Sequence, residues 1–350
     1  MKRIELAIKP YNELWINCVS NNMLSILSAH NEVWTYLPCF SQAYYAKRLL
    51  IPEKSGQDVI QEYLNEGWLT LQVLYNLPEL DQFFHVEHLW PNSEDEAENL
   101  IKQKLSEGCY VSLELDRFYF SGGIEYKKKT LIHPTLIYGY DEAKQSFLLL
   151  EDCVQLGHLE EYNLSYTDFN LAFQNMNNGT NEENVILHIL KLKPFEESKT
   201  LFKDLKKLTV DNLNVYLSNV RKDYDEIYYD EYGIGAIQCY AENVDEIVFA
   251  AKDKEHLYHI CKMPFNLQKR NFLLVELLYE YNVIDQQEKD MLQKKYQDLS
   301  NSWQAYKNKV LYYVESSRPV TYNTDFKERL NKLYATERET AELFLACLKK

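Results

Sequence analysis

Three residues far apart in the sequence, Cys18, His133 and Asp152, could make one nucleophilic site. A thiolate attacks, a histidine takes and returns the proton, and a carboxylate holds the imidazole in one tautomer. Cys18 opens "CVSNNMLSILSAH", where Asn17 is a suitable N-cap and Val19, Met23, Ile26 and Leu27 recur at helical spacing. A sulfur at a helix start faces the positive end of the helix dipole, a setting that favours the thiolate. His133 lies in "TLIHPTLIYGY", where alternation puts Leu131, His133, Thr135 and Ile137 on one face of a strand. A short polar turn leads to "QSFLLLED", which ends on Glu151 and Asp152. Asp152 is the acid we expect to accept from a ring nitrogen. Each residue alone has a plainer reading: a packed cysteine, a hydrogen-bonded core histidine, a strand-ending acid. Their order and the helix start together favour the catalytic reading.

These residues need a helix packed beside a sheet, and the patterns supply both. A helix is expected over "SGQDVIQEYLNEG", ended by Gly67. Another covers "NSEDEAENLIKQKLSEG", with Ser93 and Glu96 as a capping box and Gly108 as its stop. The period then changes to two in "CYVSLELDRFYF", in the hairpin that follows Gly122 and Gly123, and in "ENVILHILKLK". Residues 1–194 therefore form an α+β domain with an antiparallel sheet. Residues 195–350 show helical stripes instead, such as Ile234, Ile237, Ala241, Val244 and Val248, or Leu299, Trp303, Tyr306, Val310 and Tyr313. We expect an all-helical second domain, cut from the first near Pro194–Lys199.

The stretch "YVSLELDRFYF … HPTLIYGYDEAKQSFLLLED" resembles the butirosin-biosynthesis acyltransferase family, a branch of the cysteine-peptidase-like proteins. "GYD" at 139–141, "YGIGAIQCYAEN" and the helix bearing Trp303 extend the likeness over most of the chain. The resemblance implies a papain-like N-terminal domain with Cys18, His133 and Asp152 as its triad, and a helical C-terminal region. It implies that an acyl group moves from an acyl carrier protein thioester to the amine of a small molecule, and it brings Asp116 and Tyr119 forward as substrate-pocket residues. The glutamine that holds the oxyanion in papain-like enzymes has no counterpart; Asn12 and Asn17 stand in its region. Lys127, Lys128 and Lys129 are the candidate docking point for the carrier. Pro134 departs from the family pattern and requires a local irregularity or an edge, because proline removes a ladder donor. Bacteriocin-processing peptidases share the residue order, so a cysteine peptidase or amide hydrolase, or an inactive assembly protein, remain alternatives.

Composition narrows the partners. The chain has 350 residues and a net charge of −15, which disfavours a phosphate backbone and favours cationic ligands. Seven cysteines without a C-x-x-C pair argue for reduced thiols rather than a disulfide framework. "MKRIELAIKPYNELW" lacks a leader's apolar core, and "NFLLVELLYEYNVI" is broken by glutamates, so a soluble cytoplasmic protein without a membrane partner is expected. His85 with His88, and His256 with His259 and Cys261, lack the convergent sets that zinc requires, so no metal and no cofactor are expected. "GIGA" at 233–236 reads as a helix start rather than a dinucleotide loop. The helical half has three candidate uses: a lid, a homodimer interface or a docking platform.

Overall fold

The computed structural model describes residues 2–51, 71–77, 80–177, 185–194, 204–223, 226–250, 254–315 and 325–350. The elements in chain order begin with β1 (Arg3–Glu5), α1 (Cys18–His30), α2 (Leu37–Phe40), β2 (Gln42–Leu50) and β3 (Gln72–Asn76). Then come β4 (Phe84–Leu89), α3 (Glu94–Ser106), β5 (Tyr110–Asp116), β6 (Ile132–Asp141), β7 (Ser146–Glu151), β8 (Glu160–Ser165), α4 (Tyr166–Asn177) and β9 (Leu187–Leu192). The chain continues through α5 (Leu205–Leu217), β10 (Asn219–Asp223), β11 (Tyr228–Gly233), α6 (Gly235–Ala250), α7 (Lys254–Glu280), α8 (Gln286–Glu315) and α9 (Asp325–Leu348). The expected helix at 55–67 and the expected boundary at 195–199 lie outside the described residues, as do the side chains of His256, His259 and Cys261.

The chain divides into two compact units, residues 1–35 with 78–198 and residues 36–77 with 199–350. The first unit is α+β. Its seven-stranded antiparallel sheet runs β4-β9-β5-β6-β7-β8, with β1 added to the far end of β6. One sheet face buries Val111, Leu113, Leu115, Ile137, Phe147 and Leu149 against Ala97, Ile101 and Leu105 of α3 and Phe169 and Phe173 of α4. The Ser93 hydroxyl accepts from the Glu96 N–H at 3.2 Å, while Glu96 reaches back to the Asn92 N–H at 2.8 Å, so the capping box closes one residue early. Pro134 pairs with Glu114 of β5, but the β6–β7 ladder runs only from Leu136 to Asp141 and shifts register between Ile137 and Gly139. The missing donor thus falls beyond the end of that ladder.

The second unit corrects two expectations. It is not all-helical: β10-β11-β2-β3 make a four-stranded antiparallel sheet. The division is also not a single cut near residue 194, because β11 pairs with β2 from Tyr228↔Leu50 to Tyr232↔Ala46 and so ties residues 36–77 to the later half. The strand signal was hidden because β10 is exposed along its whole length and β11 mixes tyrosine with acids on both faces. The helical stripes do form as expected. Ile234, Ile237, Ala241, Val244 and Val248 are buried, and so are Leu299, Trp303, Tyr306 and Val310 of α8.

A carboxylate lies in the core of this unit. Glu337 of α9 accepts from Tyr45 at 2.8 Å, from Tyr216 and from the Trp303 indole N–H. Burial pushes its pKa up to about 7, although the three donors act against the rise. The unfolded chain releases that proton near the ordinary value of 4.5. Stability is therefore complete below pH 4.5 and declines as pH rises through about 7. Urea midpoints measured across this range should fall in the wild type and flatten in Glu337→Gln.

Candidate active site

The site starts from α1. Asn17 adopts an extended backbone and its side chain accepts from the Ser20 N–H at 2.8 Å, so the helix begins at Cys18. Helix geometry leaves the Cys18 and Val19 amides without intrahelical acceptors, pointing out beside the sulfur. The buried face of α1 differs from the expected stripe: Val19 is exposed, while Asn21 and Ser25 are fully buried. Both polar residues bind the loop that leads into the helix. Asn21 accepts from Ile16 N–H at 2.9 Å and donates to the carbonyls of Leu14 at 2.8 Å and Tyr11 at 3.1 Å. The Ser25 hydroxyl accepts from Tyr11 N–H at 2.9 Å and donates to the Asn21 carbonyl at 2.7 Å. These bonds fix the approach of the chain to Cys18.

His133 is the second residue of β6, paired with Leu115 of β5. Its Nε2 lies 2.7 Å from Cys18 Sγ. The sulfur is partly exposed and the imidazole mostly buried, so a reactant can reach the pair from solvent. Two carboxylates stand behind the ring. Glu151 Oε2 is 3.6 Å from Nδ1, while Asp152 Oδ1 is 3.9 Å from Nε2. Glu151 is thus the acid nearer Nδ1 and Asp152 the one nearer Nε2, each beyond hydrogen-bond distance of the ring. Strand register explains it. Ile137 faces Leu149 and Leu136 faces Leu150, so continuing the ladder sets Thr135 opposite Glu151, on the His133 side of the alternation. The Thr135 hydroxyl donates to Glu151 Oε1 at 2.5 Å. Alternation puts His133 and Thr135 on one face, and the β6–β7 register, which only strand pairing supplies, brings Glu151 to it.

The two acids are held apart by Arg117, which follows β5. Its buried Nη2 donates to both Glu151 and Asp152. Burial opposes the guanidinium charge, but the two carboxylates outweigh it and raise the Arg117 pKa. Asp152 Oδ2 also accepts from Gly157 N–H at 2.7 Å, and Gly157 has a φ of 67° that suits glycine. One cation against two anions leaves a net negative charge behind the imidazole. Burial works against charging His133, but the Cys18 and Glu151 contacts prevail and bring its pKa up to about 9. That direction favours a protonated imidazole beside the sulfur.

Cys18, His133 and Asp152 place ligand-type atoms within 4.8 Å of one another. The 2.7 Å nitrogen–sulfur contact is shorter than two donors on one zinc ion would allow, since bonds of roughly 2.0–2.3 Å at tetrahedral angles separate donors by about 3.5 Å. Asp152 Oδ1 is moreover already bound by Arg117. The cluster suits proton transfer better than metal binding.

The other expected site residues fall elsewhere. Asn12 clamps Leu159, accepting from its N–H and donating to its carbonyl, each at 2.8 Å, so its amide braces the loop that follows Asp152. Asn17 acts as the helix cap. Asp116 is fully buried, accepting from Phe118 and Leu131 N–H at 3.0 Å and from Asn175 at 2.7 Å; it pins the excursion between β5 and β6. Tyr119 packs on the core beneath the sheet and meets Phe118 edge-on. Lys127, Lys128 and Lys129 are exposed in the turn before β6. The sequence reading missed Arg117, Glu151, Asn21 and Ser25. No protein-family model matches the chain, and no curated protein matches it. Among the described residues, no helix is long and apolar enough to cross a membrane.

Two measurements check this electrostatic account. Arg117→Leu should destabilise the fold by about 3–5 kcal/mol in urea unfolding, because two buried carboxylates lose their counter-ion. The raised His133 pKa contributes stability that is full below pH 6.5 and lost as pH rises through about 9. That loss should be absent in His133→Gln.

Proposed function

We propose that the protein is a thiol-dependent acyltransferase with a papain-like catalytic unit, in which Cys18 is the nucleophile and His133 the acid–base. The observation that carries this reading is the 2.7 Å contact between Cys18 Sγ and His133 Nε2 at an open helix start. The Glu151 carboxylate supports it by favouring the charged imidazole against burial. The resemblance to the butirosin-biosynthesis acyltransferases suggests the substrates: a thioester on an acyl carrier protein and the amine of a small molecule.

The steps follow from the geometry. Cys18 Sγ attacks the thioester carbonyl, forming a carbon–sulfur bond, while the carbonyl oxygen gains charge beside the Cys18 amide N–H. Collapse breaks the bond to the carrier, and the departing sulfur takes the proton from His133 Nε2. The now neutral imidazole then accepts a proton from the attacking amine. A carbon–nitrogen bond forms, the bond to Cys18 breaks, and the thiolate–imidazolium pair is restored. Glu151 favours the imidazolium from the Nδ1 side; Arg117 keeps Glu151 and Asp152 from repelling each other. Because the thioester is already activated, the enzyme mainly excludes water and positions the amine. Lys127, Lys128 and Lys129 offer a basic turn to an acidic carrier.

Intact-mass analysis after incubation with an acyl carrier protein thioester should show one acyl adduct, absent in Cys18→Ala. Added amine should convert the adduct to amide; release by water alone would point to the hydrolase reading. No adduct, together with Cys18 alkylation no faster than that of a model thiol, would overturn the proposal. His133→Ala should lower kcat/KM by about a hundred- to ten-thousand-fold. The wild-type rate should fall as pH rises through about 9, where the proton needed by the leaving sulfur is lost.

A further inference from the structure

A second histidine arrangement lies outside this site, on the edge of the same sheet. β4 is the end strand, and its register with β9 sets His88 directly opposite His188. Their Nδ1 atoms are 3.0 Å apart, with the rings perpendicular and the centroids 4.9 Å apart. A neutral pair makes this contact when one Nδ1–H donates to the other Nδ1, and with neither Nδ1 protonated the same convergence can hold a metal ion.

We propose that His88 and His188 form a two-imidazole site for a divalent transition-metal ion. Metal–nitrogen bonds of about 2.0–2.1 Å and the 3.0 Å spacing give an N–metal–N angle of about 91–97°. That is the angle between neighbouring ligands in square-planar or octahedral coordination, and it is narrower than a tetrahedron allows. The geometry therefore favours nickel(II) or copper(II) over zinc, in agreement with their order of affinity for imidazole ligands. His88 is exposed on the edge strand, so water can complete the coordination sphere. The net charge of −15 draws cations to the surface.

The histidine spacing that stands out in the sequence is the wrong one. His85 and His88 are three apart, which in a strand puts them on opposite faces. The partner of His88 is a hundred residues away and is supplied by strand pairing. Trp90 reports on the site, since it is 56% exposed with its ring centroid 6.3 Å from that of His88.

Titration of the full chain with Ni²⁺, followed by calorimetry and by tryptophan emission, tests the proposal; Ni²⁺ spares the thiols from oxidation. We expect about one ion per chain bound with quenching at this site. His88→Ala, His88→Gln and His188→Ala should each weaken that event by about tenfold or more, whereas His85→Ala should leave it unchanged. Trp90→Phe should lose the quenching and keep the heat. The proposal fails if Ni²⁺ gives no binding heat, if the His88 and His188 variants bind like the wild type, or if His85→Ala weakens binding as much as they do. None of these outcomes depends on Cys18 chemistry.

Discussion

The first unit depends on one buried ionic contact, Arg117 against Glu151 and Asp152. Two adjacent carboxylates at the end of a buried strand would repel each other and draw water into the sheet. One guanidinium between them removes most of that cost and leaves a single negative charge unbalanced. The imidazole of His133 is where that charge is felt. Structure and chemistry meet at Glu151: it ends β7 inside the protein and raises the His133 pKa, while the Arg117 charge acts against that rise.

The sulfur is placed by a different kind of force. α1 turns polar residues inward, and Asn21 and Ser25 use their hydrogen-bonding capacity on the loop from Tyr11 to Ile16. Buried amides and hydroxyls carry a large penalty when unpaired, so these bonds permit few alternative loop paths. Asn12 extends the same device to the loop that carries Gly157, which in turn holds Asp152. The nucleophile and the acids are therefore registered to each other through backbone groups, although they share no element.

Local signals were enough for much of the fold. Asn17, Ser93 and the apolar stripes of α6 and α8 act through neighbours within a turn or two, so their effect is written in adjacent residues. The order cysteine, histidine, acid was legible for the same reason: a helix start, a strand and a strand end can each be recognised alone. β10 and β11 were not legible, because neither has an apolar face; β11 becomes a strand by pairing with β2, whose residues lie far earlier in the chain, and β10 by pairing with β11.

What the sequence alone determined was which residue types stand at helix starts and strand ends, because caps and alternation are short-range effects. Tertiary structure decided which of two neighbouring acids faces the Nδ1 side of His133, that Arg117 joins them, and that His88 meets His188. Those outcomes depend on register and on charge balance in a desolvated interior. Both arise only when residues from 34 to 100 positions apart are brought within hydrogen-bonding distance.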